Sequence, residues 1–144
     1  MPVRRAIRAA AKPYGLPADA RITVAFVSDD EMRALNLRYR HKDRTTDVLS
    51  FGQATGRAKG EKAVKKLRRD EDGELDVGDV VISAAQARRQ AKRRKATLGR
   101  EIAFLAAHGA LHLLGFDDRT PSGYREMVRL GTAATMGAVA ASRG

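Results

Sequence analysis

Three short runs of β-branched and aromatic residues restrict the fold of this chain more than any other feature: RITVAFV at 21–27, TTDVLSF at 45–51 and VGDVVIS at 77–83. Each has the length and composition of a strand, and the first reads as a buried one. The segments around them carry helical periodicity, without strict strand–helix alternation. That mixture implies an α+β domain in which a small mixed β-sheet is packed by several helices. At 144 residues the chain can bury one core but hardly two, so 1–144 is read as a single compact domain.

Local signals place the helices. VRRAIRAAAK (3–12) sets Val3, Ile7 and Ala10 on one face, and Pro13 and Gly15 stop it. Ser28 and Glu31 have capping-box spacing ahead of a helix carrying Met32, Leu35, Leu37 and Tyr39. Ser83 and Gln86 repeat that spacing before the Arg-rich AAQARRQAKRRKATLG. REIAFLAAHGALHLLG is a further helix, closed by Gly115. Thr120 and Pro121 suit the N-cap and first position of a last helix, which runs into an Ala-rich tail. Residues 52–76, rich in Gly and charge, are expected to form a long surface excursion of the same domain.

The formal charge is +11, from 28 Lys and Arg against 17 Asp and Glu, which suits a polyanionic partner such as nucleic acid. Aromatics make up 5% and Trp is absent, so base stacking should be limited and contacts should fall mainly on phosphates. The basic runs KAVKKLRRD (62–70) and RRQAKRRK (88–95) would neutralise phosphates without reading sequence; taken alone, each is equally a solvated face. The chain has no Cys, which leaves His and carboxylates as the strong metal ligands. No apolar signal core follows the basic MPVRRAIRAA, and no long uncharged run could span a bilayer. A cytoplasmic protein without a membrane partner is the expectation.

Chemistry concentrates in HGALHLLGFDD, residues 108–118. His108 and His112, four apart, project from one helical face and can share an ion. Gly115 lets the chain turn back so that Asp118, three residues on, faces the same point. Two histidines and a carboxylate are legitimate zinc ligands, and three protein ligands leave a position for water or substrate. On spacing alone, a half-buried pair of histidines with Asp118 supporting the turn fits as well.

HGALHLLGFDD resembles the signature of the YbeY family of rRNA-maturation endoribonucleases, H-G-x-L-H-L-x-G-Y-D-H. LNLRYRHKDRTTDVLSF (35–51) and VGDVVIS (77–83) are similar to that family's second and third blocks and follow in the same order. The resemblance covers about 100 residues and implies one divalent ion, zinc, held by His108, His112 and Asp118. It implies Arg40 as the catalytic arginine at the scissile phosphate, with Lys42 and Arg44 binding substrate. The implied partners are single-stranded rRNA and the ribosomal small subunit, with no DNA. His41 matches a variable position and is read as surface.

The chain departs from the pattern in four places. Asp118 stands where the family has a third His, Phe116 replaces Tyr, and FGQATG replaces a Phe-Pro stretch. The chain also begins at a helix, without the family's first strand, so an exposed sheet edge or an upstream start is expected. A carboxylate is harder than imidazole and carries charge, so the retained site should favour harder divalent ions and be a weaker Lewis acid. Asp117 matches the family's own Asp and is assigned a supporting role.

Two rival functions remain. One is a ribosome-associated RNA-binding factor whose Asp118 site has lost catalysis. The other is a metallohydrolase such as a peptidase, which needs a general base where this chain has Gly109.

Overall fold

The sheet is built around β3 (Asp76–Ser83), with β1 (Arg21–Val27) parallel on one side and β2 (Val48–Gly52) antiparallel on the other. The computed structural model describes residues 2–143. The helices are α1 (Pro2–Ala11), α2 (Asp29–Arg40), α3 (Glu61–Lys66), α4 (Ala84–Arg94), α5 (Leu98–Leu113) and α6 (Pro121–Arg143), with a 3₁₀ turn at Lys12–Tyr14. This is the expected α+β architecture with a mixed sheet. Among the described residues, no helix is long and apolar enough to cross a membrane.

Helix α5 is the centre of the molecule. It is apolar on nearly all sides, as a helix surrounded by other elements must be, and it packs on α1, α4, α6, β2 and β3. Ala103, Ala107 and Leu111 meet Ala6 and Ala10 of α1 and Met127 and Ala134 of α6. Leu105, Ala106 and Leu113 lie against Val77, Val80 and Ile82 of β3. Alanine at so many contacts lets the helix axes approach closely. On the other face of the sheet, Met32 of α2 is buried with Leu49 and Val81.

Two strand and cap readings need correction. β1 is an edge strand whose residues alternate between exposed and half-buried, with Phe26 52% exposed, rather than a buried strand. Its β-branched run reports strand propensity, but only the strand order decides how many faces are covered. The reciprocal capping box is present at Ser28 and Glu31. At α4 only half of it forms: Ser83 Oγ accepts from the Gln86 amide, while Gln86 Oε1 turns to Arg89 instead. Within 52–76 the chain forms α3, where Ala63 is buried, and ends with Leu75 in the core beside β3.

Asp29 joins three of these elements. Its carboxylate accepts from Arg89 Nη1 and Nη2 (2.8 and 2.9 Å) on α4, from Ser83 Oγ (2.9 Å) at the end of β3, and from Thr45 Oγ1 (3.4 Å). The Arg89 hydrogen bonds first, and that of Ser83 next, hold the Asp29 carboxyl below the usual carboxylate range. A depressed carboxyl contributes stability that is complete above its unfolded pKa and is lost as pH falls through the lower folded value. Asp29→Asn should therefore flatten the acid limb of a stability-versus-pH profile from denaturant melts. An unchanged limb would show that Asp29 contributes nothing there.

Candidate metal centre

The site is assembled by the C-terminal end of α5 and the turn that follows. Thr97 caps the helix start, its Oγ1 accepting from the Arg100 amide at 3.1 Å. At the other end, the Gly115 amide donates to the His112 carbonyl and the Phe116 amide to the Leu111 carbonyl (3.0 and 3.1 Å). These paired bonds with Gly115 at φ +89° make a Schellman motif, completed by apolar packing of Phe116 in the cluster of Leu111. The turn then brings Asp118 back over the two histidines.

His108 Nε2 and His112 Nε2 lie 3.1 Å apart, and Asp118 Oδ2 is 3.5 and 3.7 Å from them. A point equidistant from three atoms so spaced lies about 2.0 Å from each, the distance at which zinc takes His nitrogen and carboxylate oxygen. The residues thus fit one divalent ion, and they are the group among the described residues disposed to hold one. The Phe116 carbonyl can only accept, so its 3.0 Å contact with His112 Nδ1 places the ring proton there and leaves Nε2 with its lone pair facing the other two ligands. Burial, then the neighbouring His108, hold His112 below the usual imidazole range, Arg40 adding to that against Asp118 and the Phe116 carbonyl. A neutral imidazole is the form that ligates.

Asp117 is occupied elsewhere. Its Oδ1 accepts from the Arg119 amide at 3.1 Å, and that bond holds its carboxyl low. Gly109 has a packing role: a Cβ there would meet Val80 Cγ1 at 2.5 Å and Ser50 Oγ at 3.1 Å. Ser50 Oγ donates to the Gly109 carbonyl at 2.9 Å. Helix and sheet touch at this residue, and the peptidase's general-base side chain has no room.

Arg40 ends α2, exposed, and its charge is felt at His112 across 72 positions of sequence. Lys42 and Arg44 occupy the exposed turn after α2, where the Arg44 carbonyl accepts from Asn36 Nδ2 at 2.9 Å. His41 is the left-handed C-cap residue of α2 at φ 59°. Of the Arg-rich run on α4, Arg89 is paired with Asp29 and Arg94 with Glu101.

A cavity of about 430 Å³ adjoins the triad, with His108 and Asp118 in its wall. Arg94, from the basic run 88–95, also lines it, with Asp47, Arg100, Glu101, Thr132 and Thr135, which were not singled out from the sequence. One signal was available: Glu101 is an acid in a mainly apolar helix, seven residues before His108 and on its face.

The family model of endoribonuclease YbeY matches residues 2–136. An endoribonuclease YbeY from Moorella thermoacetica is 40% identical over 126 residues, covering 87% of this chain and 77% of its own. The endoribonucleases YbeY of Desulforamulus reducens and Bacillus subtilis are 38% and 34% identical, covering 82% and 87% of this chain and 72% and 76% of theirs. The solution structure of TM1509 from Thermotoga maritima has the same fold, with TM-score 0.59 at 23% identity, covering 98% of this chain and 81% of that one. A helix-and-turn group that could hold one ion, beside a mixed three-stranded sheet, thus lies in an α+β fold. The chain belongs to the endoribonuclease YbeY family.

Proposed function

We propose that this chain is a metal-dependent endoribonuclease that cleaves single-stranded RNA in rRNA maturation, acting on the ribosomal small subunit in the cytoplasm. The observation carrying this reading is the convergence of His108 Nε2, His112 Nε2 and Asp118 Oδ2 at a spacing that fits one ion, in a chain of an endoribonuclease family. The formal charge of +11 agrees with a phosphate-rich partner.

His108, His112 and Asp118 would hold the ion, zinc being the expected one. Bound there, it would supply Lewis-acid stabilisation of the charge that builds on the phosphate. The Phe116 carbonyl keeps His112 in the ligating tautomer. Arg40 is assigned to the phosphate oxygens, where a guanidinium stabilises the negative charge that builds during cleavage. Lys42 and Arg44, on the adjoining turn, are assigned to flanking phosphates as cations that orient the strand.

Metal content and cleavage of single-stranded RNA, measured on the native protein and on Asp118→Ala, test the reading. About one ion per chain with cleavage, both lost in the variant, would support it. No ion, with salt-sensitive RNA binding intact, would replace it with the RNA-binding factor. Arg40→Ala should lower kcat by about 10²- to 10³-fold with ion content unchanged. Arg40→Lys should restore only part of that, because lysine offers no fork of donors. An unaltered kcat in Arg40→Ala would remove Arg40 from the reaction.

A further inference from the structure

The cavity beside the triad lies between α4, α5 and α6. Its volume of about 430 Å³ falls within the range of about 300–1,000 Å³ common to small-molecule sites. Because His108 and Asp118 form part of its wall, a nucleotide whose phosphate sat at the triad would have this space for its base. Leu105, Val128 and Met136 supply apolar walls for ring faces, and half-exposed Tyr124 stands where a base could stack.

Of the polar groups in the wall, which include Asp47, Arg100, Thr132 and Thr135, Glu101 is the most buried, only 3% exposed. Arg94 Nη1 donates to both of its oxygens, at 3.1 and 3.3 Å. A carboxylate has about four acceptor positions, so each oxygen keeps one more. Burial pushes the Glu101 carboxyl up, against the pull of Arg94, so the pair by itself leaves its charge under-solvated. Two parallel acceptors match two parallel donors, and among the four RNA bases guanine presents that pair, N1–H and N2–H, on its Watson–Crick edge.

We propose that this cavity is a base subsite for guanine next to the cleaved phosphate, with the Glu101 carboxylate pairing with N1–H and N2–H. The proposal rests on the endoribonuclease reading above. Uracil and adenine would leave at least one acceptor of this buried carboxylate unmatched, which is where discrimination is largest.

Calorimetric titration of the zinc-loaded protein with GMP, AMP, CMP and UMP tests it. GMP should bind about tenfold or more tightly than UMP. Glu101→Gln should bring the four within about threefold, since one acceptor becomes a donor. Val128→Phe, which adds bulk to the cavity from α6 and leaves Glu101 and the triad residues unsubstituted, should erase the preference independently. Equal binding of the four nucleotides by the native protein, or a preference that survives both variants, would overturn the subsite. Cleavage of mixed-sequence single-stranded RNA separates the two ideas. Cleavage with no nucleotide preference overturns the subsite and keeps the nuclease, whereas guanine preference with no cleavage retains the pocket and overturns the nuclease.

Discussion

His112→Ala is expected to abolish RNA cleavage and to lose the ion, with the fold retained. His112 contributes one of three ligand atoms, and its ring is fixed from behind by the Phe116 carbonyl at 3.0 Å. Outer-shell partners alone are worth about 10- to 100-fold in metal affinity, so removing a ligand together with its orienting bond should exceed that. Cleavage should fall by about 10³-fold or more, since one change would remove the Lewis acid that the triad is fit to hold. Stability should change little, because the His112 side chain is 26% exposed and its loss opens towards solvent. Elemental analysis, a single-stranded RNA cleavage assay and a thermal melt check the three parts together. A variant that kept its ion and its rate would remove the triad from the mechanism.

Gly115→Ala should be the most damaging single-methyl substitution near the site. The backbone there has φ +89°, and an added Cβ would collide with the carbonyl of Ala58 in the 52–76 segment. That segment is already tied to the helix end, the Gly60 amide donating to the Leu114 carbonyl at 2.8 Å. The left-handed conformation and the overlap with rigid backbone add, for about 3 kcal/mol in all, or a fall in Tm of about 10 °C. The Schellman motif also sets where Asp118 falls, so ion content should drop with stability. Gly73→Ala is the control: φ is +79°, but nothing lies within 4 Å of the new Cβ, so only the backbone strain of about 1 kcal/mol remains. Equal melting of the two variants would show that the Ala58 overlap is relieved at no cost.

The contrast between these glycines shows what local pattern can convey. Gly15 and Gly115 were legible as helix stops because a helix end is decided within a few residues. The Ser28 capping box and the Thr120 cap, whose Oγ1 accepts from the Gly123 amide at 3.0 Å, were legible for the same reason. So was the triad, since His108, His112 and Asp118 are spaced by one helical turn and one glycine turn. Gln86 shows the limit: its spacing matched a capping box, but Arg89, itself anchored on Asp29, drew the side chain away.

The amino-acid sequence by itself determined the three strands, the helices other than α3, most of their caps and the three side chains fit for an ion, because each depends on contacts a few positions apart. Tertiary structure alone decided that β1 lies at an edge, that Gly109 is where α5 touches Val80, and that the charge of Arg40 reaches His112. It also decided that Glu101 and Arg94 share a cavity wall with His108 and Asp118. Those relations join residues from separate elements, and no periodicity encodes them. They arise when the apolar faces of α5 find partners in both the sheet and the flanking helices, and hydrophobic burial sets that packing without regard to distance along the chain.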